Sequence, residues 1–317
     1  MIYLHIGRNK AGSTTLQDFC IERHRELLAS GVRYVHFGHL ADSHPDIKGF
    51  ASAPELAAWV RSSGETAFVS NEFMSAWDDV YTQAVGEALG GLDVQVLFYV
   101  RDYCEWLPSL YAESVKRGEE TADFDAFAGL IAPRVSVRPM LTAWAAAVGW
   151  SRIRVRALDP ISLDGGDIVT DLLCSLDLTA DLATGWIGRS NRSPGWIGLE
   201  LIREARRMLS DEDWSTNAAA VQRLAEMMPP SPSPADAAAG YLTSDQVEKL
   251  ADLYDDDARW ILDQTGTALP RARRGEGRGR LAPPSWLDAP VSAIARLRQA
   301  QPSALADRLI DRVQHCA

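Results

Sequence analysis

The segment HIGRNKAGSTTLQ, residues 5–17, has the residue types of an anion-binding loop. Gly7 and Gly12 have the spacing of the nucleoside-triphosphate loop G-x-x-x-x-G-K-[ST], but the lysine is residue 10, between the glycines, and Ser13 follows. A strand, a tight glycine-containing loop and a helix N-terminus would bring unpaired backbone N–H groups together, and Lys10 would add positive charge. The segment predicts an anion site; an ordinary strand-to-helix turn is the alternative.

A second anion contact is predicted within residues 96–118, VLFYVRDYCEWLPSLYAESVKRG. Arg101 directly follows an apolar strand, and Ser109 comes about two helical turns into the next segment. A guanidinium fork and a hydroxyl on roughly one side would suit a second phosphate group. An arginine at a strand end also serves as a surface or ion-pair residue, which is the alternative for Arg101.

Glu72 is a candidate proton acceptor. It lies in AFVSNEFMSAW, residues 67–77, just beyond an apolar strand. A carboxylate at the carboxyl end of a parallel strand, facing an anion loop, can take a proton from an attacking group. A helix-capping or salt-bridging glutamate is the alternative.

Histidines provide a competing base. His36, His39 and His44 follow the second predicted strand, and imidazole accepts protons near neutral pH. His44 is preferred among the three, although each also fits a solvated loop. His5, inside the first strand, is predicted to pack beneath the loop.

Alternating strands and helices must position these residues. Strands are predicted at 2–6, 33–37, 66–70, 93–100 and 152–157, and helices near 51–62, 78–90, 102–117 and 138–148. This order predicts an α/β fold, a P-loop-like three-layer sandwich in which helices flank a central parallel sheet. Ligands bind at the carboxyl ends of such strands. From about residue 167 the chain is predicted to be mainly helical.

Two helix ends carry local signals. Ser13 or Thr14 is predicted to cap a helix that continues to Ser30, and Gly31 is its expected stop. Thr243 and Gln246 form a predicted capping box for a helix running to about residue 265.

The composition limits the class of protein. A formal net charge of -11 over 317 residues argues against binding nucleic acid or anionic membranes in bulk. The four widely spaced cysteines suggest neither a zinc site nor a disulfide framework, and we interpret them as reduced thiols of a cytoplasmic protein. No apolar stretch approaches the roughly 18 residues of a membrane-spanning helix.

Together, RNKAGSTT and VRDYCEWLPS resemble the motifs of sulfotransferases that use 3'-phosphoadenosine 5'-phosphosulfate (PAPS). In that family a loop of the type [PRN]-K-[TA]-G-[TS]-[TS] holds the 5'-phosphosulfate, and an R-x7-S pair holds the 3'-phosphate. The segment with Glu72 is similar to the S-x-E segment of bacterial and carbohydrate-directed members, in which the glutamate can be the base. The resemblance covers roughly residues 1–265.

The resemblance implies cofactor contacts at two sets of positions. The 5'-phosphosulfate loop would comprise Arg8, Lys10, Ala11, Gly12, Ser13, Thr14 and Thr15. The 3'-phosphate would be held by Arg101 and Ser109, and an N-x-S segment at Asn191, Arg192 and Ser193 would fold over the nucleotide. Asn191 and Ser193 as simple helix caps are the alternative.

The implied activity is sulfuryl transfer to a hydroxyl or amine of a small molecule or glycan. Lys10 would stabilise the leaving group, Glu72 or His44 would act as base, and no metal would be needed. The alternatives are a P-loop nucleotide-dependent kinase and an inactive nucleotide-binding module. Residues 1–265 are predicted to form the catalytic domain. Residues 266–317 would add a basic segment and an amphipathic helix, and the helices of the C-terminal third could serve as an acceptor lid or a homodimer surface.

Overall fold

The computed structural model describes residues 1–37, 46–76, 78–188, 194–226, 241–272 and 274. The chain divides into two compact units. The first comprises Met1–Asp102, Ser136–Ser190 and Asp252–Ala272, and the second comprises Tyr103–Val135, Asn191–Ala251 and Arg273–Ala317. The predicted basic segment and C-terminal helix beyond residue 274 lie outside the described residues, so the boundary near residue 265 and the dimer surface stay predictions.

The first unit contains a six-stranded parallel sheet. Its strands are β1 Ile2–His5, β2 Val32–Phe37, β3 Gly49–Phe50, β4 Thr66–Ser70, β5 Val94–Val100 and β6 Ile153–Ala157, in the spatial order β3-β2-β4-β1-β5-β6. The central parallel sheet of the predicted α/β fold is confirmed, and β3 is an addition that the sequence did not predict. Because β1 lies between β4 and β5, the ends of these three strands meet at one edge of the sheet.

Helices connect the strands and continue through the second half of the chain. They are α1 Ser13–Glu22, α2 His24–Ala29, α3 Ala53–Ser63, α4 Asp79–Ala88, α5 Tyr103–Lys116, α6 Phe124–Ile131, α7 Arg138–Val148, α8 Ile168–Ser175, α9 Trp196–Met208, α10 Asp211–Glu226 and α11 Ser244–Thr265. The four helices predicted between strands correspond to α3, α4, α5 and α7. No helix of the described residues is long and apolar enough to span a membrane.

The sheet of the first unit buries side chains on both faces. Tyr3, Phe68 and Tyr99 belong to a core cluster with residues of α1, α2 and α8. Neighbouring strand residues point to the opposite face, where Leu4 and Phe98 are also buried. The two faces are therefore covered, as the predicted sandwich requires.

The first predicted helix differs from the structure at its N-terminus and in its middle. Gly12, and neither Ser13 nor Thr14, occupies the N-cap position, so the predicted side-chain cap is wrong. The helix is also interrupted at Arg23, where α1 ends and α2 begins. The predicted stop is confirmed, because α2 ends before Ser30.

The second unit is helical, with α5, α6, α9, α10 and the first residues of α11. The predicted capping box is confirmed: the Thr243 N–H donates to Gln246 Oε1 over 2.8 Å, and the Gln246 N–H donates to Thr243 Oγ1 over 3.2 Å. Tyr111 packs against the rings of Phe124 and Tyr241 at centroid distances of 5.3 Å for each pair. Aromatic contacts thus join the helices of this unit.

Candidate functional site

The loop between β1 and α1 has two residues in the left-handed backbone region. Lys10 has φ 66° and Gly12 has φ 88°. A lysine in this region carries a strain of roughly 1–2 kcal/mol, because its Cβ crowds the following carbonyl oxygen. The Ala11 N–H donates to the Arg8 carbonyl over 3.0 Å and closes a tight turn around Lys10. The packing around the loop must therefore hold Lys10 in this conformation.

Both loop glycines lie where a side chain would collide with neighbouring atoms. A Cβ on Gly7 would lie 2.3 Å from Ser13 Oγ, and a Cβ on Gly12 would lie 2.4 Å from Ile168 Cδ1. No side chain of the described residues caps α1. The N–H groups of its first turn thus have no side-chain acceptor there, and they form the kind of N-terminal site that binds anions.

The three hydroxyl residues of the loop differ in exposure. Thr14 is exposed and Thr15 is half-buried, whereas only 2% of Ser13 is exposed. Ser13 Oγ is buried and has no hydrogen-bond partner among the described residues. Thr14 and Thr15 can present their hydroxyls outward, while Ser13 offers an outside anion its backbone N–H. Ala11 is buried as well, at 1% exposure.

Lys10 and Arg101, two of the cations singled out in the sequence, are neighbours in the first unit. Arg101 follows the last residue of β5, and its Nη1 donates to the Lys10 carbonyl over 3.4 Å. Arg8 is half-buried in the same loop. The positive charge of this edge of the sheet therefore comes from residues far apart in the chain. Ser109 is half-buried in α5, which belongs to the second unit.

Asn71 holds the chain segment that carries Glu72. Glu72 begins a short 3-10 helix, Glu72–Ala76, immediately after β4, and it is half-buried. The buried Asn71 side chain donates from Nδ2 to the Phe37 carbonyl at the end of β2 over 3.0 Å, and its Oδ1 accepts the Phe73 N–H over 2.9 Å. This amide fixes the first turn that follows β4 to the neighbouring strand.

Ser70, the last residue of β4, is tied to both β1 and α1. Ser70 Oγ lies 2.8 Å from His5 Nδ1. Gln17 of α1 donates from Nε2 to the Ser70 carbonyl over 3.3 Å, and the Asn71 N–H donates to the His5 carbonyl over 3.1 Å. These contacts place the glycine loop and Glu72 at the same edge of the sheet. The sequence interpretation included Ser70 as the serine of the S-x-E segment but gave no role to its side chain, and it missed Gln17 and Asn71.

The histidines are in different surroundings. His5 is completely buried, and burial lowers its pKa to about 3, so its imidazole is neutral. Its predicted position beneath the loop is confirmed, because its Cε1 lies 2.8 Å from the Cβ position of Gly7. His36 is half-buried in β2, with its ring 5.5 Å from that of Tyr34. His39 and His44 lie outside the described residues.

The N-x-S segment at Asn191, Arg192 and Ser193 also lies outside the described residues. The helix that follows it, α9, begins at Trp196 and has Gly195 at its N-cap. The alternative roles of Asn191 and Ser193 as helix caps stay predictions, because both residues lie outside the described ones. The nucleotide-covering role of the segment stays a prediction.

A buried carboxylate fixes α8, whose Ile168 forms the wall beside Gly12. Asp171 is fully buried and accepts hydrogen bonds from the Tyr99 hydroxyl over 2.8 Å and from Arg156 Nε over 3.0 Å. The Asp164 N–H also donates to it over 3.0 Å. Burial and the adjacent Asp171 raise the pKa of Tyr99. A fully hydrogen-bonded buried charge of this kind holds its helix in one position against the sheet.

Comparisons with known proteins found a weak structural similarity and no match in sequence. No family model matches the chain, and no curated protein matches it in sequence. A crystal structure of a sulfotransferase from Alicyclobacillus acidocaldarius is similar, with a TM-score of 0.45, 13% sequence identity, and coverage of 84% of this chain and 96% of that chain. A similarity of this size carries no information about activity.

Proposed function

We propose that this protein is a sulfotransferase that moves the sulfuryl group of PAPS to a hydroxyl or amine of a small-molecule or glycan acceptor. The observation that carries the proposal is the loop between β1 and α1. It combines a lysine within the loop, uncapped N–H groups in the first turn of α1, and the Arg101 guanidinium 3.4 Å from the Lys10 carbonyl. It also fits the sulfotransferase motif.

The residues of the loop fit a phosphosulfate group. Gly7 and Gly12 keep the backbone open, since a Cβ at either position would meet another atom within 2.4 Å. The first-turn N–H groups and the Thr14 and Thr15 hydroxyls would hold the 5'-phosphate. We assign Arg101 to the 3'-phosphate, for which a guanidinium fork is suited. The resemblance implies further cofactor contacts, which stay predictions, at Ser109, Asn191, Arg192 and Ser193.

The reaction requires a base and a group that stabilises the leaving oxygen. The acceptor oxygen or nitrogen attacks sulfur, and the bond between sulfur and the bridging oxygen of the 5'-phosphate breaks. Glu72, held by Asn71 at the end of β4, takes the acceptor proton, and His44 is the competing candidate. Lys10 neutralises the negative charge that grows on the bridging oxygen, an interaction that is stronger in the transition state than in the ground state.

A kinase of the P-loop class is the second candidate. In such an enzyme the lysine follows the second glycine and reaches the β and γ phosphates, whereas here Ser13 follows Gly12. A strand-end aspartate for magnesium is also expected, but the residue directly after β5 is Arg101. An inactive nucleotide-binding module with this fold is the third.

Isothermal titration calorimetry separates the first two candidates, because the sulfotransferase binds 3'-phosphoadenosine 5'-phosphate (PAP) without magnesium and prefers it to ATP, whereas the kinase binds ATP with magnesium. The inactive module is separated by turnover, since it can bind a nucleotide but transfers no group from PAPS or ATP. We expect Arg101→Ala to weaken PAP binding by about tenfold or more, because it removes a charge-assisted contact. Arg25→Ala is the matched control, since it removes a charge from a side chain that is 78% exposed on α2.

Turnover distinguishes the roles of the loop and the base. Lys10→Ala is expected to abolish PAP release from PAPS while keeping much of the affinity for PAP. Glu72→Gln and His44→Ala are compared in the same assay, and the variant that loses turnover with PAP binding intact identifies the base. Near-normal turnover in Lys10→Ala would reject the proposed function.

A further inference from the structure

Two buried polar atoms beneath the glycine loop have no hydrogen-bond partner among the described residues. They are His5 Nε2 and Ser13 Oγ. His5 is 0% exposed and Ser13 is 2% exposed, so bulk water does not reach either group. His5 is the last residue of β1 and Ser13 is the first residue of α1, so the two residues stand at the two ends of the loop along the chain.

The two atoms face the same point in space. That point is the Cβ position of Gly7, which lies 2.3 Å from Ser13 Oγ and 3.1 Å from His5 Nε2. Only a glycine leaves this space free, because any side chain at residue 7 would separate the two groups or displace one of them. Leaving a buried donor or acceptor unpaired lowers the equilibrium constant for folding by about tenfold or more. A hydroxyl and a neutral imidazole can remove this cost by pairing with each other.

We propose that His5 is a positioning residue of the anion loop, and that a small shift of either side chain lets its Nε2 share a hydrogen bond with the Ser13 hydroxyl across Gly7; the structure itself leaves the two atoms unbonded. Ser70 holds the other ring nitrogen, since its Oγ lies 2.8 Å from His5 Nδ1. The imidazole then links the first residue of α1 to the last residue of β4. Burial keeps the imidazole neutral, with a pKa near 3, which preserves one donor and one acceptor nitrogen for these two bonds.

This link has a consequence for the anion site. It turns the Ser13 hydroxyl inward and holds the first turn of α1 so that its N–H groups face outward together. It also connects the loop to Ser70, two residues before Glu72. The proposal rests on the proposed function for its ligand, but the contact itself can be tested without any ligand.

The first experiment measures, in the unliganded protein, hydrogen exchange of the Ala11 and Leu16 amides, which donate to the Arg8 and Gly12 carbonyls and are therefore protected. Ser13→Ala and His5→Asn are each expected to accelerate this exchange about tenfold, because each removes the shared bond. Asparagine can keep the contact that Nδ1 makes with Ser70, whereas glutamine at position 5 places its amide near the position of Nε2. His5→Gln is therefore expected to restore exchange close to the wild-type rate. The double variant His5→Asn/Ser13→Ala should exchange no faster than either single variant.

The second experiment measures nucleotide affinity by calorimetry. The two single variants are expected to bind PAP about tenfold more weakly, whereas their affinity for adenosine 3'-phosphate, which has no 5'-phosphate, stays at the wild-type value. A general loss of structure would lower the affinity for both nucleotides by the same factor, and that result would count against the proposal. Ser30→Ala, in the exposed turn after α2, is the control for replacing a serine hydroxyl outside the loop.

The outcomes for the two proposals differ. Loop exchange at the wild-type rate in Ser13→Ala, or additive effects in the double variant, would overturn the role of His5 whether or not PAP binds. Failure of the wild-type protein to bind PAP would overturn the proposed function, and the exchange rates would still decide the role of His5.

Discussion

Replacing Gly12 by alanine tests whether the loop needs glycine for two separate reasons. The left-handed backbone, at φ 88°, disfavours any Cβ by about 1 kcal/mol. The new methyl group would also lie 2.4 Å from Ile168 Cδ1, and such overpacking costs about 1–3 kcal/mol. We therefore expect Gly12→Ala to lower the free energy of unfolding by about 2–4 kcal/mol.

Two further variants separate these contributions. Gly64→Ala is the matched control, because Gly64 has φ 69° and no atom within 4 Å of its Cβ position; only the backbone cost of about 1 kcal/mol applies. Ile168→Val removes the colliding Cδ1 and costs about 1 kcal/mol in the wild-type background. Combined with Gly12→Ala it should cost nothing further, which corresponds to a favourable coupling of about 1 kcal/mol.

Urea denaturation measures these differences, provided that the dependence on urea concentration is the same for all variants. Equal destabilisation by Gly12→Ala and Gly64→Ala would refute the contact with Ile168. Simple additivity in the double variant would do the same. Either result would mean that the first turn of α1 relaxes away from α8 at little cost.

Three other predictions concern Lys10, His5 and Asn71. Lys10→Gly should leave the protein about 1 kcal/mol more stable than Lys10→Ala in urea denaturation, since only glycine relieves the φ of 66°; equal stabilities would contradict the strain. The His5 imidazole is protonated below about pH 6.5 in the unfolded chain, whereas burial lowers its pKa to about 3 in the folded chain. The free energy of unfolding should therefore fall by about 1.4 kcal/mol per pH unit as the pH drops through this range, and His5→Gln should flatten the slope in pH-dependent denaturation. Asn71→Ala should reduce PAP release from PAPS with unchanged PAP affinity, because the turn that carries Glu72 loses two side-chain hydrogen bonds. An equal loss of PAP release when Asn71→Ala is added to Glu72→Gln would show that Asn71 does not act by positioning Glu72.

Much of the fold could be predicted because its signals are local. Short apolar runs bounded by turn residues predicted five of the six strands, and helical periodicity predicted the helices between them. The Thr243–Gln246 capping box was readable because its two partners are three residues apart. Strand β3 was missed because Gly49–Phe50 is too short to show a period, and it pairs with β2 only through tertiary packing.

The candidate site could be predicted only in part. Residue types and spacing singled out Lys10, Arg101 and Glu72, and the parallel sheet explains why strand-end residues are brought to one edge. The direction of the Ser13 hydroxyl could not be predicted, since helix caps commonly use serine and a buried position beneath Gly7 depends on the surrounding packing.

The sequence by itself determined most of the order of strands and helices and singled out the glycine loop between β1 and α1, because these follow from patterns within a few residues. Tertiary structure decided which distant groups meet. Arg101 contacts the carbonyl of Lys10 across 91 positions in the chain, and Asn71 contacts the carbonyl of Phe37 across 34 positions. Such contacts depend on strand order and on the packing of α8 against α1, and these arise only when the whole sheet has assembled.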